Sequence, residues 1–205
     1  MGVEYTQDIF PFIENYPENY INLYVHFKAK NPEVKETIIF LAHHDIANPF
    51  SENCQDNSSS VCNLLEFCSI LKDKELEKNI IVCFVDGEEP ASFNSGAGRI
   101  GKLFKNKQAP FDNVEYAINL ELTGKGRVLW MDYFTAISQY KEPSVVIPYV
   151  QDKLKGIMEV GTPFNDCYTL RYYKIDSICI GCFTAEDALD FNARKFFYVF
   201  NQIYI

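Results

Sequence analysis

Imidazole and carboxylate side chains follow several of the most apolar segments of the sequence. These side chains belong to His43, Asp45, Asp56, Glu88, Glu89 and Glu121. Imidazole nitrogen together with carboxylate oxygen is a ligand set that suits Zn²⁺ or a similar transition metal. In the Glu88–Glu89 pair, one carboxylate can hold a metal while its neighbour stays free as a general base toward metal-activated water. A single histidine or glutamate pair is more often structural, so the prediction of a metal site depends on their convergence.

Convergence requires the apolar segments to be neighbouring strands of one sheet. Continuous apolar runs at 37–42, 79–85 and 116–122 predict strands that are buried on both faces. Apolar residues at helical spacing within 61–71 predict a helix between the first two strands. Strands that alternate with helices favour a three-layer α/β/α fold with a mostly parallel central sheet. Ligands of such sheets bind beyond the carboxyl ends of the strands, where the candidate residues stand.

Further elements are expected around these strands. Alternating or apolar patterns predict strands at 21–28, 128–131 and 177–182. Helices are expected at 144–157, after a proline, and at 193–205, where three phenylalanines share one face.

Length and charge narrow the class of protein and its partners. A chain of 205 residues with 47% hydrophobic residues is expected to fold as a single domain over 1–205. The net charge of −9 argues against nucleic-acid phosphates and an anionic membrane surface as partners, and it is compatible with cation binding. No apolar run reaches the roughly 18–20 residues of a membrane-spanning helix. No secretory signal is visible either, so we expect a cytoplasmic location.

The seven cysteines are interpreted as mostly reduced and buried thiols. Their number is odd, and most stand in apolar or helical segments. Cys179 and Cys182 form a Cys-x-x-Cys pair, but the surrounding segment predicts a strand. A redox pair normally opens a helix, so a redox function is not favoured.

Taken in order, the motifs resemble those of the MH-clan zinc aminopeptidases, which include secreted bacterial leucine aminopeptidases and, by descent, glutaminyl cyclases. The motifs span roughly residues 20–190 and are Ala42-His43-His44-Asp45, Asp56-Asn57 before a helix, Glu88-Glu89 with Ser95 beyond, Asn119-Leu120-Glu121, Asn165-Asp166-Cys167 and Phe183-Thr184-Ala185-Glu186-Asp187. The resemblance implies a zinc-exopeptidase architecture of the phosphorylase/hydrolase-like kind, with one or two Zn²⁺ ions as cofactor.

The resemblance also implies a ligand set for a first zinc ion. His43 would bind this ion, and Asp45 would orient the imidazole. Asp56 would bridge the first ion to a second one. Glu121 would complete the first site, where it replaces the usual aspartate with a side chain that is one methylene longer.

Around the second zinc ion, the resemblance implies one ligand and one catalytic group. Glu89 would bind the ion, and Glu88 would be the general base. Cys167 stands where the family has a histidine that binds the same ion. Three interpretations stay open. In the first, Cys167 is a ligand. In the second, the site keeps the His43 metal alone, or it holds a metal with water in place of the missing group. In the third, the site is degenerate and inactive.

The motifs and their departures from the family pattern leave an enzymatic and a non-catalytic function to be weighed. The first is a zinc-dependent aminopeptidase-like hydrolase, a metallopeptidase that removes N-terminal residues from peptide or small aminoacyl substrates. The alternative is a catalytically decayed peptidase-fold protein that serves as a binding or regulatory module, which Cys167 and Phe183 at histidine positions favour. A cyclase-type aminoacyltransferase with one zinc ion is a third hypothesis. The joint presence of His43, Asp56 and the Glu88–Glu89 pair favours the hydrolase.

Overall fold

The fold is built around one eight-stranded mixed sheet with helices packed on both of its faces. It is described by a computed structural model that covers residues 3–11, 19–47, 50, 52, 54–90, 93–132, 144–160 and 165–189. The strands are β1 (Thr6–Pro11), β2 (Asn19–Phe27), β3 (Thr37–His43), β4 (Asn79–Val85), β5 (Val114–Glu121), β6 (Val128–Asp132), β7 (Met158–Glu159) and β8 (Ser177–Phe183). The helices are α1 (Ser59–Leu71), α2 (Gly96–Lys105), α3 (Ile147–Lys153) and α4 (Asp166–Tyr172). A short turn (Cys54–Ser58), in which Asp56 and Asn57 have non-helical backbone angles, precedes α1.

The centre of the sheet is parallel and its flanks are antiparallel. The strand order is β1-β2-β4-β3-β5-β8-β6-β7. Strands β4, β3, β5 and β8 are parallel neighbours, whereas β2 pairs antiparallel with β4 and β6 pairs antiparallel with β8. The predicted α/β fold is confirmed. The parallel centre is what brings the carboxyl ends of β3, β4 and β5 to one edge.

Side chains that alternate along the strands bury the two faces under different helices. On one face, Leu64 of α1 lies in an apolar cluster with Phe84 of β4. On the other face, Ile100 of α2 and Leu170 of α4 lie in a cluster with Ile39 of β3. Because successive strand residues point to opposite faces, the continuous apolar sequence of β3 is explained by helices on both sides.

The expected elements mostly coincide with the observed ones. The helix expected at 144–157 is shorter, at Ile147–Lys153, and the helix expected at 193–205 lies outside the described residues. The edge strands β1 and β7 and the helix α4 were not predicted, because short edge elements carry little periodic signal. All seven cysteines are free, and four are buried. None of the helices in the described part of the chain is long and apolar enough to cross a membrane.

The burial of a strand residue predicts how much stability is lost when its side chain is shortened. Ile39 in the central strand β3 is fully buried, whereas Ile9 in the edge strand β1 is 58% exposed. We expect Ile39→Ala to lower the free energy of unfolding by about 2–5 kcal/mol, because it leaves a cavity between sheet and helices. The matched variant Ile9→Ala is expected to cost less than about 1 kcal/mol. Urea denaturation measures both, and equal losses would contradict the assignment of β3 to the core.

Candidate metal centre

The candidate residues meet at the carboxyl ends of three adjacent parallel strands. His43 is the last residue of β3, and Glu121 is the last residue of β5. Strand β4, which pairs with β3, ends at Val85, shortly before Glu88 and Glu89. The register therefore delivers an imidazole and three carboxyl groups to one edge of the sheet.

The imidazole of His43 is the centre of the cluster. Its side chain is 1% exposed. Its Nε2 atom lies 3.1 Å from Asp56 Oδ1, 3.4 Å from Glu121 Oε2 and 3.9 Å from Glu88 Oε2. Burial would lower the pKa of His43, but its contacts with Asp45, Asp56 and Glu121 outweigh burial and raise the pKa well above the usual range.

Asp45 lies on the opposite side of the imidazole and also fixes the loop after β4. Its Oδ1 atom is 3.3 Å from His43 Nδ1, a contact between charged groups that is not a well-formed hydrogen bond. The same carboxylate accepts the backbone N–H groups of Glu88 and Glu89, at 3.2 and 3.0 Å. Burial would raise the pKa of Asp45, but His43 and these N–H groups together hold it below its usual range. Asp45 thus links the histidine to the glutamate pair.

The turn that carries Asp56 is fixed by its neighbour Asn57. The Asn57 side chain is fully buried, donates a hydrogen bond to Leu120 O at 2.9 Å and accepts one from Leu122 N at 3.2 Å. These two bonds fasten the turn to the backbone on either side of Glu121. Asp56 is consequently held beside His43 although its own side chain is 55% exposed.

The donor atoms of the cluster fit a divalent cation. One ligand atom each from His43, Asp56 and Glu89 can be chosen so that all lie within 4.8 Å of one another. Burial, followed by the charges of neighbouring carboxylates, raises the pKa values of Glu88 and Glu89. Within the described residues, no lysine or arginine forms an ion pair with these carboxylates. A cation is the compensating charge that imidazole and carboxylate ligands are suited to hold.

The structure does not bring Cys167 to this cluster. Its side chain is 2% exposed and lies in an apolar group with Trp130, Val160 and Cys179. Burial raises the pKa of the thiol far above its usual range. Phe183, at the other expected histidine position, stacks on Trp130 with ring centroids 5.4 Å apart.

Asp166, the first residue of α4, is a further carboxyl group whose charge interacts with those of the cluster, and sequence reasoning did not assign it a role. Asp166 is fully buried. Burial raises its pKa, which the charge of His43 lowers and those of Glu121 and Asp45 raise further. The available signal was a carboxylate next to the expected ligand position 167. That signal could not be interpreted without knowing how α4 is rotated about its axis.

Because the amide of Asn57 is buried and bonded to backbone groups, its removal should measurably lower the stability of the protein. We expect Asn57→Ala to lower the free energy of unfolding by about 1–3 kcal/mol, because Leu120 O and Leu122 N lose their partner in the interior. Asn63→Ala is the matched control, since the Asn63 amide also bonds to a residue of this region, Thr123, but is exposed. Thermal or urea unfolding would refute the role of Asn57 if the two variants lost equal stability.

The fold is similar to solved structures of zinc-dependent exopeptidases and cyclases. One is a leucine aminopeptidase precursor from Bacteroides thetaiotaomicron, with 19% identity over 87% of this chain and 71% of that chain and a TM-score of 0.63. A glutaminyl cyclase from the same organism has 20% identity over 87% of this chain and 70% of that chain, with a TM-score of 0.62. A Zn-dependent exopeptidase from Parabacteroides distasonis has 20% identity over 90% of this chain and 72% of that chain, with a TM-score of 0.64. At these identities the likeness establishes the fold.

Comparison by sequence identifies the family. No curated protein matches the chain. The profile of Peptidase family M28 matches residues 22–167, which include the three strand ends and both Asp166 and Cys167. Because this match covers more than half of the sequence and contains every residue of the cluster, the chain belongs to peptidase family M28.

Proposed function

We propose that this protein is a zinc-dependent aminopeptidase-like hydrolase that removes N-terminal residues from peptides or small aminoacyl substrates. The observation that carries the proposal is the cluster of His43, Asp56 and Glu89, whose ligand atoms lie within 4.8 Å of one another, with Glu88 beside it. Membership of a peptidase family and the fold likeness to zinc-dependent exopeptidases support it.

In this proposal, Glu88 moves the proton. A bound Zn²⁺ ion would supply Lewis acidity, polarising a carbonyl oxygen and making water more acidic. Glu88 takes a proton from the attacking water as the water oxygen bonds to the carbonyl carbon. When the carbon–nitrogen bond breaks, Glu88 gives this proton to the departing amine.

The remaining cluster residues position groups for this step. Asp45 holds the backbone at Glu88 and faces the His43 ring, so it acts as a positioning residue rather than as an acid or base. Asp56, with its 55% exposed side chain, makes the accessible side of the cluster acidic. An acidic rim favours substrates that carry a protonated N-terminal amine.

A second candidate uses the same cluster for a different reaction. One of the similar structures is a glutaminyl cyclase, and this chain resembles it in fold. Cyclisation of an N-terminal glutamine would release ammonia and leave the peptide chain length unchanged. Analysis of reaction products therefore separates this candidate from hydrolysis. A third candidate, the non-catalytic binding module, would give neither product.

Substitution of the proposed base should abolish turnover and leave cation binding in place. We expect Glu88→Gln to reduce hydrolysis of an aminoacyl substrate with a free N-terminus by about 10²–10⁴-fold, because no group then accepts the proton. The zinc content per chain should stay at the wild-type value. The exposed Glu66 of α1 provides the control Glu66→Gln, which should keep full activity. Full activity in Glu88→Gln would refute the assigned role.

Loss of the central imidazole should remove cation binding. We expect His43→Ala, purified without chelator, to contain at least one zinc ion fewer per chain than wild type, because Asp56 and Glu121 lose the ligand they surround. His26→Ala is the matched control, since His26 is an exposed residue of β2 whose cross-strand partner is Ile81. Elemental analysis of the purified variants measures the change. Unchanged zinc in His43→Ala would contradict the proposed site.

A further inference from the structure

Asn119 is a buried amide directly beside the cluster. It lies on β5 two residues before Glu121, so both side chains point to the same face of the sheet. The residue is 0% exposed, and its Nδ2 atom donates a hydrogen bond to Glu121 Oε1 at 3.1 Å. Its neighbours across the sheet are Leu41 of β3 and Cys179 of β8, which are both fully buried. An amide in such surroundings is costly to bury unless its polar atoms find partners.

The two carboxylate oxygens of Glu121 have different partners. Oε1 accepts the hydrogen bond from Asn119, whereas Oε2 lies 3.4 Å from His43 Nε2. The glutamate side chain is long and flexible, so a bond to one oxygen restricts where the other oxygen can lie. The Asn119 amide is an uncharged donor, and it therefore fixes Glu121 without a positive charge that would compete with a cation.

The oxygen that faces His43 lies at a distance that suits a shared cation. Zn²⁺ bonds to nitrogen and oxygen ligands at about 2.0–2.2 Å, so two ligand atoms of a tetrahedral ion are roughly 3.3–3.6 Å apart. The separation between His43 Nε2 and Glu121 Oε2 is 3.4 Å, and that between His43 Nε2 and Asp56 Oδ1 is 3.1 Å. Glu121 thus presents one oxygen where a cation bound to the imidazole needs a further ligand.

The amide of Asn119 serves little else in the described part of the chain. Its Oδ1 atom is buried and has no hydrogen-bond partner among the described residues. Its other contact is a long one, from Nδ2 to the sulfur of Cys179 at 3.7 Å. Buried polar atoms are generally hydrogen-bonded, so packing of the strand does not account for an amide at this position. The bond to Glu121 does account for it.

We propose that Asn119 is a positioning residue of the cation site, which holds Glu121 Oε1 so that Oε2 stays directed at His43. The inference rests on the proposed function, because it concerns the same site. Three observations carry it: the complete burial of Asn119, its hydrogen bond to Glu121, and the contact of the second Glu121 oxygen with the imidazole.

The zinc affinity of the full chain tests this role. Asn119→Leu has nearly the same shape and lacks the donor, so Glu121 Oε1 loses its partner. We expect this variant to bind Zn²⁺ about 10–100-fold more weakly than wild type, which is the loss that partners of metal ligands usually cause. Competition with a chromophoric chelator measures the dissociation constant, and circular dichroism verifies folding. Unchanged affinity in the folded variant would overturn the proposal. If Asn119→Leu does not fold, Asn119→Ser, whose side chain is too short to reach Glu121, takes its place with the same expectation.

A double-substitution cycle separates positioning from a general loss of structure. If Asn119 acts through Glu121, Asn119→Leu has no further effect on zinc affinity in a Glu121→Ala background. Asn79→Leu is the matched control, since Asn79 is the first residue of β4, away from the strand ends, and its amide donates to Val34 O at 3.0 Å. This control should lower stability and keep the zinc affinity of wild type. Equal losses of affinity in Asn119→Leu and Asn79→Leu, or the same loss with and without Glu121, would overturn the proposal.

These readouts are independent of turnover. If Asn119 governs zinc affinity but no substrate is hydrolysed or cyclised, the proposed function fails and this inference stands. If wild type hydrolyses substrate and Asn119→Leu binds zinc as tightly as wild type does, the inference fails and the proposed function stands. A wild type that binds no zinc overturns both.

Discussion

The crowding of carboxylates around one buried imidazole is the constraint on which the rest of the structure depends. Asp45, Asp56, Glu88 and Glu121 each have an oxygen between 3.1 and 3.9 Å from a ring nitrogen of His43. Carboxylates gathered around one ring cannot all stay ionised in the interior unless protons or a cation balance their charge. The folded chain therefore concentrates negative charge where the sheet ends, and a divalent cation is the most compact way to compensate it.

Such a cluster persists only if the loops that carry it are held against their mutual repulsion. Asp45 does this through its charge, by accepting two backbone N–H groups of the loop after β4. Asn57 does it without charge, by joining the Asp56 turn to the backbone at the end of β5. Asn22 extends the scaffold, since its buried amide accepts the N–H of Asp86 and donates to Gly96 O. Hydrogen bonds to neighbouring backbone groups thus oppose the repulsion between the carboxylates and hold the candidate ligands in place.

The region around the N-terminus of α4 is packed with apolar side chains, unlike the strand ends, which carry charged ones. Where an imidazole is expected, the thiol of Cys167 fills an apolar group, and Trp130 of this group stacks on Phe183. These side chains are packing elements, and neither offers a charge to a ligand. The buried polar residues Asp132, Asn165 and Asp166 lie next to this apolar group, and a hydrogen bond joins Asn165 to Asp132.

The sequence by itself determined the strands that end at His43 and Glu121 and the loop that carries Glu88, because buried parallel strands are read from continuous apolar runs and their ends are local features. It did not determine the short elements β1, β7 and α4, whose formation depends on partners far along the chain. Nor could it determine that the thiol of Cys167 packs into the apolar group with Trp130. Adjacent helix residues differ in direction by about 100°, so the side chain that enters this group depends on the rotation of the helix. That rotation is set by a hydrogen bond from Asn165 to Asp132, a residue 33 positions away, and only the tertiary structure brings the two together.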